Sequence, residues 1–118
     1  MNPLPGRAVR GSRTGRPIMA ALDLLGRRWT LRIVWELCAE PLSFRALQTA
    51  CEVAPSVLNT RLAELREAGI VETKETGYAL SERGRALVDA LEPLFGWAER
   101  WAAATTSASA EKAKRRER

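Results

Sequence analysis

Histidine is absent from this 118-residue chain, and cysteine occurs only twice, at Cys38 and Cys51. The missing histidine removes the side chain most used as a general base near neutral pH. Two cysteines are too few for the four-ligand Cys/His set of a structural zinc site. No Gly-rich phosphate loop, no Ser or Cys beside a plausible base and no suggestive pair of carboxylates can be found, so neither an enzyme nor a bound cofactor or metal is expected. No stretch approaches the ~18 apolar residues of a membrane span, and the N-terminus lacks the apolar run of a secretory signal. A cytoplasmic protein with reduced thiols and no membrane partner is the expectation. Aromatic residues make up only 6% of the chain, but four of them are Trp, so a few large rings carry much of the packing.

What is present suits one domain around one core: 118 residues, 46% hydrophobic. Lys and Arg number 19 against 14 acidic residues, for a net charge of +5, which favours a polyanionic partner without identifying it. Charge is concentrated at the ends. Residues 1–16 interleave Pro3, Pro5, Gly6, Gly11 and Gly15 with Arg7, Arg10, Arg13 and Arg16, and read as a flexible basic arm. Residues 105–118 turn small and polar, then basic (Lys112, Lys114, Arg115, Arg116, Arg118), and read as a flexible basic tail. Either tail suits DNA phosphates or simple solvation. The folded part is expected over residues 17–104.

Within it, Pro17 to Leu25 has the pattern of a helix, with Ile18, Ala21, Leu22 and Leu25 at helical spacing, Pro17 in the first turn and Gly26 as the stop. Trp29 to Ala39 forms a second helix on Trp29, Ile33, Val34 and Leu37, stopped by Pro41. Ser43 caps a third, Phe44 to Ala50. A fourth starts at Pro55 and runs to Ala68, with Leu58, Leu62 and Leu65 as its apolar stripe and Gly69 as its stop. The period then changes: Ile70 to Lys74 and Tyr78 to Leu80 are short strand-like runs around Thr76-Gly77, a hairpin signal. Ser81 caps a last helix, Glu82 to about Ala104, with Leu87, Leu91, Leu94, Phe95, Ala98 and Trp101 as its stripe. Pro93 inside it predicts a kink or a break.

The fold class is therefore mainly α with a small β-hairpin: a winged helix-turn-helix domain with a long C-terminal dimerisation helix. The third helix braces the fourth, which enters a major groove, and the hairpin is the wing. With the leucines turned to the core, Ser56 and Thr60 point away and Asn59 lies on the flank; these short polar side chains are the base-reading candidates. Phosphate candidates are Arg27, Arg28 and Thr30 at the second helix, Ser43 and Arg45 at the third, and Lys74 and Thr76 on the wing. Arg61 lies nearer the core face and suits either a phosphate or a carboxylate inside the domain.

Several joined segments resemble the HxlR-type regulators. Pro17-Ile-Met-Ala-Ala-Leu-Asp-Leu-Leu-Gly-Arg-Arg-Trp-Thr is similar to their opening, which reads Cys-Pro and then a helix ending in Leu-Gly-Gly-Lys-Trp-Thr. Glu40-Pro-Leu-Ser-Phe-Arg-Ala-Leu resembles their Gly-Pro-x-Arg-Phe-x-x-Leu. Val57 to Glu72 is similar to their recognition helix and its exit, and Tyr78-Ala-Leu-Ser-Glu-Arg-Gly-Arg-Ala-Leu to their Tyr-x-Leu-Thr-x-x-Gly-x-x-Leu. The resemblance covers Pro17 to Trp101 and implies a regulator that binds double-stranded DNA as a homodimer built through its first and last helices. Three departures bear on mechanism. Arg16 stands where the family carries its sensing Cys. The segment from Glu72 to Tyr78 lacks the family's Pro-rich wing insert. Ala54-Pro55-Ser56 replaces the common Ser-Gln-Lys, which predicts a different base preference.

Cys38 is expected to be buried. Cys51 is expected to be exposed, and so is the candidate redox thiol. Trp35, Tyr78, Phe95, Trp97 and Trp101 supply enough aromatic area for dimer core or for the pocket of a small apolar effector. The expected function is a transcriptional repressor on a pseudo-palindromic operator. The alternatives are a winged-helix module for protein interaction or ligand binding, and a sequence-indifferent nucleoid protein.

Overall fold

The computed structural model describes residues 4–5 and 16–116, with side chains as far as residue 108. Arg7, Arg10 and Arg13 of the N-terminal arm and the side chains of the last basic cluster lie outside the described residues. Among the described residues, five helices and one hairpin follow in the order α1 (Pro17–Leu25), α2 (Thr30–Leu37), α3 (Phe44–Cys51), α4 (Pro55–Glu67), β1 (Val71–Lys74), β2 (Gly77–Leu80) and α5 (Glu82–Arg116). The chain divides into two compact units, Met1–Val88 and Asp89–Arg118.

The first unit is organised by its helix faces. Ile33, Val34 and Leu37 of α2, Leu47 of α3 and Leu58, Leu62 and Leu65 of α4 meet in one core with Ile70, which precedes β1, and with Val71 and Leu80 of the hairpin. Removing such side chains from water supplies about 1.5–3 kcal/mol each. Local chemistry fixes the ends of the helices. Pro55 occupies the first turn of α4, where its missing N–H costs nothing. Ser43 Oγ accepts the Ala46 N–H at 3.1 Å and caps α3. Ser81 Oγ accepts the Gly84 N–H at 3.0 Å and caps α5. The exit from α4 is a Schellman motif: the Ile70 N–H reaches Leu65 O at 2.9 Å and the Gly69 N–H reaches Arg66 O at 3.0 Å, with Gly69 at φ +77°.

Strands β1 and β2 pair antiparallel, Val71 with Leu80 through Lys74 with Gly77, so the tight turn is Glu75-Thr76 and Gly77 already belongs to β2. Only the base of the hairpin is buried, at Val71, Ala79 and Leu80; Glu72 to Thr76 are exposed. Leu42, between α2 and α3, adds a third short rung: its N–H donates to Tyr78 O at 2.9 Å, and its carbonyl oxygen accepts the Tyr78 N–H at 2.8 Å. Gly77 is required there, because a Cβ would lie 2.3 Å from Leu42 O.

The structure corrects several local expectations. On α1 the core face is Ala20 and Leu24, while Ile18 and Leu22 are exposed. The turn into α2 places Trp29 at φ 78°, a left-handed conformation unusual for a bulky residue, with the Arg28 guanidinium over its ring at 5.0 Å. Gly26, the expected stop of α1, keeps a right-handed φ of −78°. Of the kink or break expected at Pro93, the break is absent: helix α5 passes through Pro93 as one element and continues to Arg116 rather than ending near Ala104.

The second unit is the remainder of α5, from Asp89 onward. Leu94, Phe95, Trp97 and Trp101 are exposed on it, and Trp97 and Trp101, one turn apart, stack with ring centroids at 5.4 Å.

Candidate nucleic-acid interface

The α3–turn–α4 pair presents a polar face built from the back of the core stripe. With Leu58, Leu62 and Leu65 fully buried, Ser56, Asn59, Thr60 and Ala63 are exposed, as the helical angles predict. Thr60 is more constrained than its exposure suggests. Its Oγ1 donates to Ser56 O at 3.0 Å, so its hydroxyl proton is committed, leaving a methyl and acceptor lone pairs to face outward. Asn59 keeps both donor and acceptor capacity. No side chain caps the N-terminus of α4, so the Ser56 and Val57 N–H groups stay open there.

The predicted phosphate contacts divide into two groups. Arg28 and Arg45 are exposed; Lys74 on the wing is exposed and sits 3.1 Å from Glu72, and Thr76 is exposed at the hairpin turn. Ser43 is exposed, although its Oγ already serves as a cap. The others are engaged inside the domain. Arg27 pairs with Glu64 of α4 and lies 3.7 Å from Asp23 of α1. Arg61, left open between phosphate and carboxylate, donates through Nη1 to Glu64 at 2.8 Å and through Nε to Arg28 O at 2.9 Å. These contacts form a polar clamp between the α1–α2 turn and α4. Charge pattern alone did not reveal it, because Arg27 and Glu64 are 37 residues apart.

Thr30 is a plain correction. It is 1% exposed, which rules out a phosphate contact, and Oγ1 has no hydrogen-bond partner among the described residues. A buried unpaired hydroxyl costs about 1–3 kcal/mol. Thr30→Val should therefore raise the melting temperature by several degrees, as thermal circular dichroism would show; a drop would mean that the hydroxyl is paired in solution.

Cys51, expected to be exposed, is the more buried of the two cysteines. Cys51 is buried on the face of α3 that carries Leu47, and Cys38 is half-buried at the end of α2, donating to Val34 O at 3.4 Å. Burial pushes the Cys51 thiol up; Glu36 adds to the rise and Arg32 pulls partly against it. Burial alone pushes Cys38 up. Fewer thiolates at neutral pH and little access leave Cys51 a poor redox site, against the expectation that it is exposed. The i, i+4 step from Leu47 to Cys51 was the signal that could have placed it inward.

The aromatic candidates belong to both units. Trp35 is exposed on α2, Tyr78 is half-buried in the wing base, and Phe95, Trp97 and Trp101 lie in the second unit. Among the described residues no group of three His, Cys, Asp or Glu side chains could hold a metal ion, and no helix is long and apolar enough to cross a membrane.

A braced helix with an open polar face, followed by an exposed hairpin, defines a winged helix-turn-helix protein of the transcription-regulator class. The chain belongs to the HxlR-like helix-turn-helix family, whose model matches residues 24–106. It is 33% identical over 89 residues to the HTH-type transcriptional regulator YvaP of Bacillus subtilis, covering 69% of this chain and 82% of that one. The crystal structure of quinone-bound YodB from B. subtilis superposes with a TM-score of 0.67 at 31% identity, covering 70% of this chain and 96% of that one. The transcriptional repressor BigR from Xylella fastidiosa gives a TM-score of 0.59 at 30% identity, covering 70% and 86%.

Proposed function

We propose that this protein is a cytoplasmic, homodimeric repressor that reads a pseudo-palindromic operator with α4 in the major groove and the wing on the adjacent backbone. The observation that carries this reading is the exposed row Ser56, Asn59 and Thr60 on a helix whose opposite side is locked by three buried leucines. Two-fold symmetry would place two such helices about one helical turn of DNA apart. Arg28, Arg45 and Lys74 would contact phosphates, and Asn59, whose side chain is not engaged locally, would carry most of the base choice. The likeness to a protein described as a repressor supports repression over activation. Ile18 and Leu22 on α1, and Leu94, Trp97 and Trp101 on α5, are large apolar side chains left exposed in the single chain, and a second copy covering them supports the homodimer. YodB has been crystallised with a quinone; here Arg16 and a buried Cys51 favour an effector held without a covalent bond.

Titration against duplex from upstream of the protein's own gene, with random duplex as control and at two salt concentrations, tests the reading. Preferred, salt-sensitive binding to the upstream fragment is the expected result. Arg45→Ala should weaken binding to both duplexes and flatten the salt dependence by about one ion. Asn59→Ala should narrow the gap between them, by about 1–3 kcal/mol at the base it reads. Equal affinity for both fragments would instead indicate a sequence-indifferent nucleoid protein, and no affinity for either a protein-docking or ligand-binding module.

A further inference from the structure

Within the first unit, an apolar cleft of about 220 Å³ lies between α1, the exit of α4 and the first turns of α5. Ala20, Ala21 and Leu24 form one wall, and Ala68, Ile70 and Leu87 the other, with Leu4, Pro5 and Pro17 along the side. One charged residue joins this lining, Arg83, on the first turns of α5. Its guanidinium lies over Gly69, where a Cβ would meet Nη1 at 2.9 Å; the glycine leaves room for the side chain to lie there. Arg83 is exposed and has no ion pair or hydrogen bond among the described residues, in contrast to Arg27 and Arg61, which are both tied to Glu64. The cleft thus offers an apolar floor and a single uncommitted cation.

We infer that this cleft is a binding site for a small amphiphilic anion: an aromatic or branched aliphatic carboxylate whose apolar body lies against Leu24, Ile70 and Leu87 and whose charge meets Arg83. Size and charge both bear on the occupant. An apolar cavity of about 150 Å³ accepts benzene, so the volume here takes a ring and leaves space for a carboxylate. A neutral apolar ligand would leave the guanidinium unused, whereas a carboxylate matches its paired donors. A cation is disfavoured by the same charge.

The position gives such a ligand a route to the recognition helix. Ala68 and Ile70 flank the Schellman turn that ends α4 and begins β1, and Ala20 and Leu24 are the residues by which α1 packs on the domain. An occupant would hold α1 against the base of α4 and the wing. It would alter DNA affinity to the extent that it prefers one arrangement of these elements. This site deepens the effector part of the function proposed above, and it differs from the aromatic cluster expected from the sequence.

Benzoate is the probe, with benzamide as the uncharged control of nearly equal shape. Binding to the full chain is followed without DNA by amide chemical shifts, so failure of the DNA reading and failure of this site remain separate results. Saturable shifts at Ala20, Ala68, Ile70 and Leu87 with benzoate, at least about tenfold weaker with benzamide, are expected. Arg83→Gln, an exposed substitution that leaves the core intact, should weaken benzoate by about tenfold and bring it level with benzamide. Ala21→Leu, which fills the cleft from α1, should abolish both. The assignment is overturned if benzoate produces no saturable shifts at these residues, or if Arg83→Gln leaves its affinity unchanged.

Discussion

In the proposed homodimer, Leu22→Asp should give a folded monomer and reduce operator affinity by about 10²–10⁴-fold. Leu22 lies on the outer face of α1 beside Ile18, and the two are 58% and 61% exposed in the single chain. Neither contributes to the core, which α1 meets through Ala20 and Leu24, so an exposed Asp should change the melting temperature of the isolated fold little. The expected effect lies between copies. In a two-fold dimer the substitution occurs twice around the axis and buries two like charges where an apolar contact stood. With the dimer lost, each half-site is bound alone. The affinity then falls by the avidity factor that linkage of two sites ordinarily gives, 10²–10⁴-fold. Sedimentation velocity and anisotropy on the same samples read the two effects separately. A variant that stayed dimeric with unchanged affinity would remove α1 from the interface. A monomer with undiminished affinity would show that one α4 is enough.

The second large effect concerns stability. Leu62→Ala should lower the unfolding free energy by about 2–5 kcal/mol, because Leu62 is 1% exposed and its neighbours Leu58 and Leu65 share the same core. Against a total stability of about 5–15 kcal/mol this is a large fraction. At roughly 4–8 °C per kcal/mol for a domain of this size, the melting temperature should fall by about 10 °C or more. Asn59→Ala, three residues away on the exposed flank of the same helix, should change stability by less than about 0.5 kcal/mol and act on DNA preference instead. This pair would separate a face of α4 that holds the fold from the face proposed to read DNA. If Leu62→Ala melted like the wild type, the helix would be packed differently; if Asn59→Ala destabilised strongly, its side chain would be buried.

The polar clamp on Glu64 ties these two roles together. Arg27 and Arg61 both reach this carboxylate, and Arg61 also holds the Arg28 carbonyl. The α1–α2 turn and α4 are thereby joined by charge-assisted hydrogen bonds. The same turn carries the left-handed Trp29 and the buried Thr30. A rearrangement of α1, whether from a partner copy or from a ligand in the cleft beside it, has through these residues a physical connection to α4.

The sequence by itself determined the order of elements, because the decisive signals are local. A leucine repeat fixes one face of α4 whatever surrounds it, and Pro55, Ser43, Ser81 and Gly69 act within a turn of their own positions. The polar face of α4 followed as the complement of that stripe. The period change after Gly69 likewise located the hairpin to within a residue, and the joined motifs from Pro17 to Trp101 were enough to indicate the family.

Tertiary structure decided what depends on residues distant in the chain. The rung between Leu42 and Tyr78 and the pairing of Arg27 and Arg61 with Glu64 exist only once separate elements meet, so no window of sequence contains them. The same is true of burial among near-equivalent positions. Ala20 and Leu24 turn inward rather than Ile18 and Leu22, and Cys51 is enclosed while Cys38 is only half covered. Local periodicity defines the possible faces of a short helix, but its partners choose which face they bury. The cleft beside Arg83 belongs to the same class, since its walls come from α1, the turn between α4 and β1, and α5, and among the described lining residues none brings Arg83 a carboxylate.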